Sequence, residues 1–166
     1  MSGKLDYKVG NLFDNIPNDE NIIIAHIVNN YGKMGAGFVI PLMKQFPNLK
    51  SQYKFFSDVY TTETLLGRVY YYQGEEDYRI VANMFAQDGL GDRDRLHPLS
   101  YDALETCMLD VRNLAMTNGA RIVAPKFGAG LSGGSWLIIE AMIKEFWKEL
   151  DVTIYVLDSS ELPNSW

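Results

Sequence analysis

Apolar residues along this chain follow two spacings, one typical of strands and the other of helices. Short apolar runs rich in β-branched residues predict strands at 5–9, 22–28, 121–125 and 152–157. Two further runs, 66–73 and 78–85, flank the turn 74-GEED-77 and predict a hairpin. The chain is therefore expected to build a sheet from these segments.

Apolar positions three and four residues apart predict helices between the strands. The clearest helix begins at Ser100, which can cap its start, and is closed by Gly119. Others are predicted from about Gly37, over 47–58 with Pro47 in the first turn, and over 136–150. The order of elements predicts an α/β fold in which helices cover both faces of a mixed sheet.

Length and composition predict where the protein resides and how it is organised. A chain of 166 residues with 47% hydrophobic residues suits a single domain spanning 1–166. The single cysteine, Cys107, and the absence of an apolar leader predict a reducing, cytoplasmic environment. The longest apolar run, 22–28, is too short to cross a bilayer, so no membrane role is expected.

The charge pattern narrows the possible ligands. The net charge is −6 and the basic residues are scattered, which argues against binding to a nucleic-acid backbone. An anionic small molecule would then be held mainly by neutral donors, such as successive backbone N–H groups in a glycine-rich loop. We expect no metal and no cofactor. A long polar segment, 86–98, is of the kind that often closes over a site.

Two glycine-rich segments each run from a predicted strand into a predicted helix: 125-PKFGAGLSGGSW-136 and 29-NNYGKMGAG-37. The first contains a literal G-x-G-x-x-G at 128–133, the pattern of dinucleotide-binding folds, but only one helix and one strand follow it. Loops after neighbouring parallel strands converge at the carboxyl edge of a sheet. The two segments together therefore predict a site for an extended anion such as a diphosphate, with room for a sugar.

Four segments, read in order, resemble the landmarks of the macro domain family, whose members bind ADP-ribose: 7-YKVGNLFD-14, 26-HIVNNYGKMGAGFVIPL-42, 125-PKFGAGLSGGSW-136 and 152-VTIYVL-157. The spacing from His26 to Gly37, with 34-MGAG-37 inside it, is most similar to one branch. That branch contains ADP-ribose-1''-phosphate phosphatases and ADP-ribosyl-glutamate hydrolases. The resemblance implies a three-layer α/β/α macro-domain fold with a central mixed sheet.

The resemblance also implies a set of ligand contacts. Asn11 and Leu12 would lie on the adenine side together with Leu157, although the family usually has aspartate at the position of Asn11. Asn29 would face the distal ribose. The residues expected to line the diphosphate and sugar are Gly35, Ala36 and Gly37 in the first loop, and Lys126, Phe127, Gly128, Ala129, Gly130, Leu131 and Ser132 in the second.

Catalytic candidates follow from one departure from the family pattern. The glutamate-directed hydrolases use a lysine after the hairpin and an aspartate in the second glycine loop, whereas this chain has no lysine between 81 and 90 and carries Ser132 in that loop. Hydrolysis by that mechanism is therefore not expected. The remaining catalytic candidates are Asn29, Asn30 and His26, with Ser132 as a hydrogen-bond donor. Each has an alternative: His26 as a core histidine, and the two asparagines as turn residues.

Three functions remain open at this stage. The first is a hydrolase that removes phosphate from ADP-ribose-1''-phosphate. The second is a noncatalytic module that binds ADP-ribose, ADP-ribosylated protein or a related nucleotide signal. The third, a nicotinamide-dependent dehydrogenase, rests only on the G-x-G-x-x-G match.

Overall fold

The computed structural model describes residues 2–90, 98–130 and 132–163. Strands and helices alternate along most of the chain, with short 3₁₀ helices at Leu12–Asn15 and Ser159–Glu161. The strands are β1 (Leu5–Val9), β2 (Ile22–Asn29), β3 (Val69–Tyr72), β4 (Ile80–Gln87), β5 (Arg121–Ala124) and β6 (Val152–Val156). The helices are α1 (Val39–Gln45), α2 (Leu49–Asp58), α3 (Thr62–Leu65), α4 (Tyr101–Asn118) and α5 (Trp136–Phe146).

All six strands form one sheet in the order β1-β6-β5-β2-β4-β3. The first five strands in this order, β1, β6, β5, β2 and β4, are all parallel to their neighbours. The last strand, β3, pairs antiparallel with β4. The mixed sheet and the central hairpin predicted from the sequence are therefore confirmed. Because five strands run in the same direction, their carboxyl ends and the loops that follow lie along one edge of the sheet.

Hydrophobic cores lie on both faces of the sheet, since successive strand residues point to opposite sides. On one face α4 and α5 pack against the sheet, with Leu104, Met108 and Ile143 buried between the layers. On the other face α1 and α2 bury Leu42, Leu49 and Tyr53 against it. The expected three-layer α/β/α arrangement is confirmed.

Several element boundaries differ from the sequence expectations. Helix α2 begins at Leu49 instead of Pro47, because Phe46–Asn48 forms a turn closed by Leu49 N donating to Phe46 O at 3.0 Å. Helix α5 ends at Phe146, four residues before the expected end. Trp147 leaves the helical conformation and its indole N–H donates to Met108 O at 2.8 Å, which anchors this end of α5 on α4.

The caps of α4 agree with the sequence. The Ser100 side chain accepts a hydrogen bond from Ala103 N, and Gly119 adopts a left-handed conformation with φ 61°. The short helix α3 was not expected from the sequence; Thr61 and Thr64 cap it reciprocally. Within the described ranges, no helix combines the length and the apolar character needed to cross a membrane.

We predict that Ser100→Ala destabilises the protein by about 1 kcal/mol, because it removes an acceptor for an otherwise unpaired amide of the first helical turn. Ser135→Ala is the matched control, since Ser135 occupies the same position before α5 but its side chain makes no capping hydrogen bond. Urea unfolding of both variants measures the difference. Equal losses of stability would contradict the role assigned to the Ser100 hydroxyl.

Candidate functional site

A cleft of about 400 Å³ lies at the carboxyl edge of the sheet, between the loops that follow β2 and β5. The end of β4 contributes Gln87 to its wall, and His26 in β2 contributes to its floor. Its position is the one expected from the two glycine-rich segments. The sequence-predicted residues that line it are His26, Asn29, Gly35, Ala36, Gly37, Lys126, Phe127, Gly128, Gly130 and Ser132.

The structure does not bring every predicted residue to this cleft. Asn11, Leu12, Asn30, Ala129 and Leu157 are not among its lining residues. Leu131 lies outside the described residues, as do Asp92, Asp94 and His97 of the polar loop.

The glycines of the β5–α5 loop serve two different purposes. A Cβ on Gly134 would lie 2.3 Å from Leu99 Cδ2, and one on Gly128 would lie 2.8 Å from Ile139 Cδ1. Gly128 also has φ +80°, which disfavours any side chain. At Gly130, by contrast, a Cβ would meet nothing within 4 Å. Gly128 is therefore required by its left-handed backbone and Gly134 by packing, whereas Gly130 leaves open space beside the cleft.

Aromatic contacts hold this loop against the sheet. The Phe127 ring is buried with its centroid 6.0 Å from that of Trp136 and 5.8 Å from that of Trp147. The Trp136 indole N–H donates to the Tyr7 hydroxyl in β1 at 2.9 Å. Although Phe127 is in contact with the cleft, most of its side chain is thus part of the core.

In the β2–α1 loop the Asn29 side chain holds the turn. Its Oδ1 accepts from Tyr31 N at 3.0 Å and Lys33 N at 3.2 Å, while its Nδ2 donates to Lys33 O at 2.9 Å. The Tyr53 hydroxyl in α2 donates to the Asn29 carbonyl at 2.9 Å. This arrangement matches the turn-residue alternative for Asn29, although the residue also lines the cleft.

Asn30 is buried and connects three segments of the chain. Its Nδ2 donates to Thr62 O at 2.9 Å and to Asp88 Oδ1 at 3.1 Å, and its Oδ1 accepts from Gly89 N at 2.9 Å. The amide is therefore occupied by protein partners and tethers the loop after β4 to the end of β2. These contacts favour a structural role for Asn30 over contact with a ligand.

Ser132 and Gln87 form a buried pair across the cleft wall. The Ser132 hydroxyl donates to Gln87 Oε1 at 2.6 Å, and Gln87 Nε2 donates to Gly89 O at 2.9 Å. Because a serine hydroxyl has one proton, the donor expected for a ligand is committed to Gln87 in this structure. Gln87 was missed from the sequence, where it falls in the polar segment 86–98, whereas in the structure it ends β4.

His26 lies at the floor of the cleft with only 2% of its surface exposed. Its Nε2 is 2.6 Å from Asn83 Oδ1, and its ring centroid is 5.7 Å from that of Phe38. Burial lowers the pKa of His26 to about 4, while the hydrogen bond with Asn83 acts in the opposite direction. The imidazole is therefore neutral near pH 7, and both a core role and a ligand role are compatible with this position.

The residues expected on the adenine side lie at the same edge of the sheet, near the ends of β1 and β6. Asn11 Oδ1 accepts from Phe13 N at 2.9 Å and caps the 3₁₀ helix there, while Leu12 is buried beneath it. Leu157, directly after β6, is 82% exposed and available for contact. Their assignment to adenine stays a prediction.

The charged side chains that line the cleft in the described residues are all positive. Its charged lining residues in the described ranges are Lys33 and Lys126, and no aspartate or glutamate is among them. Lys126 Nζ lies 5.9 Å from the centroid of the Trp136 ring. Lys33 was missed from the sequence, although it stands inside the glycine-rich segment 29–37. In the part of the chain that the structure describes, no cluster of His, Cys, Asp or Glu side chains is suited to hold a metal ion.

Comparisons with known proteins agree with this geometry, although no family model matches the chain. An ADP-ribose 1''-phosphate phosphatase of Candida albicans is 24% identical over 158 residues, which cover 92% of this chain and 99% of that protein. A macrodomain protein of Streptomyces coelicolor has a structure with a TM-score of 0.74 and 28% identity, covering 92% of this chain and 99% of that one. The chain belongs to the macrodomain family.

A second solved structure extends the macrodomain comparison. A protein of unknown function from Bacteroides thetaiotaomicron is 33% identical, with a TM-score of 0.82 and coverage of 92% of this chain and 98% of that one. The matches span nearly the whole chain. The six-stranded mixed sheet flanked by helices is therefore the macrodomain fold itself, with the cleft at its carboxyl edge.

The two classes of glycine in the β5–α5 loop of this macrodomain predict effects on stability of different size. We expect Gly134→Ala to lower the free energy of unfolding by about 1–3 kcal/mol, because the added methyl group overlaps Leu99 and the Gly128 carbonyl. Gly130→Ala is the matched control and should change it by less than about 0.5 kcal/mol. Chemical denaturation measures both, and a Gly130→Ala variant as unstable as Gly134→Ala would refute the distinction.

Proposed function

We propose that this macrodomain binds ADP-ribose or a derivative of it and hydrolyses the phosphate ester of ADP-ribose-1''-phosphate. The observation that carries the proposal is the cleft between the two glycine-rich loops, whose charged lining residues in the described ranges are Lys33 and Lys126 alone. Positive charge from these two lysines, in a protein whose net charge is −6, favours an anionic ligand in the cleft.

Loop geometry supports the diphosphate as the part of the ligand held in this cleft. Gly130 and Gly35 both line the cleft, and a Cβ at either would meet nothing within 4 Å. The absence of side chains lets a ligand approach the backbone closely at these positions. Amide donors together with the two lysines would then neutralise the charge of the diphosphate without a metal ion.

The name of the Candida relative supports the choice of reaction, since a phosphatase acting on ADP-ribose 1''-phosphate covers almost the same length of chain. Phosphoryl transfer relies mainly on positioning and on stabilisation of charge on the phosphoryl oxygens. The lysines and loop amides suit that requirement. A water molecule must also be oriented toward phosphorus.

Among the three catalytic candidates, His26 is the one whose side chain is best placed to contact a ligand or water. The Asn30 amide is occupied by Thr62, Asp88 and Gly89, and the Asn29 amide by its own turn. We therefore assign Asn29 and Asn30 to holding the loops, and His26 to the floor on which the distal part of the ligand would rest.

A noncatalytic binding module is the second candidate. The observation that favours it is the chemistry of the described lining residues: His26 is neutral, no carboxylate is present, and the Ser132 proton is committed to Gln87. Such a cleft would hold ADP-ribose, free or attached to protein, without altering it. Binding and turnover must therefore be measured separately.

For binding, we predict that Gly130→Glu weakens the affinity for ADP-ribose at least about tenfold more than Gly130→Gln, because only glutamate places a negative charge beside the diphosphate. Both side chains enter open space, so neither should disturb the fold. Calorimetry at low salt measures both affinities. Equal weakening would argue against an anion at Gly130, and no binding of ADP-ribose by the unmodified protein would refute the proposed function.

For turnover, we predict that the protein releases inorganic phosphate from ADP-ribose-1''-phosphate and that Gly130→Glu abolishes the release. Phosphorus NMR follows the substrate and product signals together. The control is the same incubation with Gly130→Gln, which should keep measurable activity. If the substrate binds to the protein but stays intact over a long incubation at stoichiometric concentration, the noncatalytic module is the correct function.

A further inference from the structure

The side-chain amide of Asn83 has only one possible orientation. Asn83 lies in β4 directly opposite His26 in β2, and its Nδ2 lies 2.9 Å from Tyr70 O and 3.4 Å from Val81 O. Backbone carbonyls only accept hydrogen bonds, so the NH₂ group must point at them. The Oδ1 atom of Asn83 is left facing the histidine.

This orientation determines which nitrogen of His26 carries the proton. Nε2 of His26 lies 2.6 Å from Asn83 Oδ1, an atom that can only accept. The hydrogen must therefore be on Nε2. Because burial keeps the imidazole of His26 neutral near pH 7, Nδ1 then has no proton and carries a lone pair.

Nδ1 is the ring nitrogen of His26 that has no hydrogen-bond partner among the described residues. In the described residues, the polar and ring contacts of His26 are those with Asn83 and Phe38, and neither is a hydrogen bond of Nδ1. Every fully buried side-chain nitrogen or oxygen in the same residues does have a partner. Nδ1 is therefore not fully buried, and His26 is a lining residue of the cleft.

We propose that Asn83 holds His26 in the Nε2–H tautomer, so that Nδ1 presents a hydrogen-bond acceptor to an O–H group at the floor of the cleft. The inference rests on the proposed function for the identity of that group, which is either a ribose hydroxyl of ADP-ribose or the water that attacks the phosphate ester. Asn83 acts through His26 and is a positioning residue.

An acceptor at this place complements the rest of the cleft. Lys33 and Lys126 can only donate, and the amides of the glycine-rich loops also donate. A ligand with phosphate oxygens and sugar hydroxyls needs donors for the former and acceptors for the latter. The lone pair of Nδ1 is such an acceptor, held in place by the buried pair His26–Asn83 and by the Phe38 ring beside it.

The tautomer is tested first, without any ligand. Nitrogen NMR of protein labelled in histidine, at pH 7, should show His26 with its proton on Nε2 and none on Nδ1. The chain has two histidines, and a His97→Gln variant assigns their signals. A proton on Nδ1, or a mixture of both tautomers, would overturn the inference whatever the protein binds.

The acceptor role of Nδ1 is tested with two variants, His26→Leu and His26→Asn. The introduced leucine and asparagine side chains are similar in size, and neither has the imidazole ring. Only asparagine keeps an oxygen that can accept near the position of Nδ1. We expect the His26→Leu variant to be about tenfold below the His26→Asn variant, either in affinity for ADP-ribose or in kcat for ADP-ribose-1''-phosphate. Loss of affinity identifies the ribose hydroxyl, and loss of kcat alone identifies the water.

Two outcomes separate this inference from the proposed function. If ADP-ribose binds normally and the two variants have equal affinity and equal kcat, the acceptor role of His26 is wrong while the proposed function stands. If the unmodified protein does not bind ADP-ribose and the NMR spectrum shows the Nε2–H tautomer, the proposed function fails while the role of Asn83 is supported. Thermal unfolding of each variant shows that the measured protein is folded.

Discussion

The hydrogen bond from Gly134 N to the Gly128 carbonyl, 2.7 Å long, determines the shape of the cleft. It folds the β5–α5 loop back on itself, and Leu99, Ile139 and Ile27 pack against the two glycines where side chains would otherwise stand. These apolar side chains hold the loop in place on the side that faces the core. Gly130, at the other side of the same loop, is left with open space beside it, and a rigid backbone loses less entropy when a ligand binds.

Neutral polar side chains hold the other walls of the cleft in the same way. Asn29 closes the turn after β2, Asn30 ties that turn to the loop after β4, and Gln87 with Ser132 joins β4 to the glycine loop. The two asparagine amides bond mainly to backbone groups and Ser132 bonds to Gln87, so these polar groups are satisfied within the protein. Among the described lining residues, the groups left for a ligand are the backbone of the glycine loops, the side chains of Lys33 and Lys126, and one nitrogen of His26.

Much of the fold can be predicted from sequence periodicity, whereas the roles of the individual residues in the site cannot. The apolar run 22–28 and the capped run from Ser100 to Gly119 predict β2 and α4 almost to the residue, because each depends on neighbours in the chain. The two glycines at 128 and 134 look the same in sequence as Gly130. Their difference depends on Leu99 and Ile139, which only the folded chain brings to them.

The same limit applies to the polar candidates. Asn30 is a catalytic candidate in the sequence because it stands within the glycine-rich segment 29–37, but its hydrogen-bond partners, Thr62 and Asp88, are far along the chain. Asn83 gave no signal in the sequence, where it is one polar residue within an apolar strand. Its importance arises from the parallel register that places it opposite His26. The resemblance to a family locates the site along the chain. The role of each residue in the site is determined by hydrogen bonds between distant segments, which the sequence does not show.

A cleft without a carboxylate among its described lining residues is compatible with some hydrolytic reactions and not with others. Loose phosphoryl-transfer transition states form little bond to the attacking water, so they depend more on neutralised phosphoryl oxygens than on a strong base. A neutral histidine with a pKa near 4 is a poor base but a good acceptor for orienting that water. A cleavage reaction in which a side chain must give and take a proton near neutral pH would require a group whose pKa is closer to 7. The lysines, the loop amides and the acceptor on His26 therefore favour phosphate-ester hydrolysis over acid–base cleavage of an ADP-ribosyl bond.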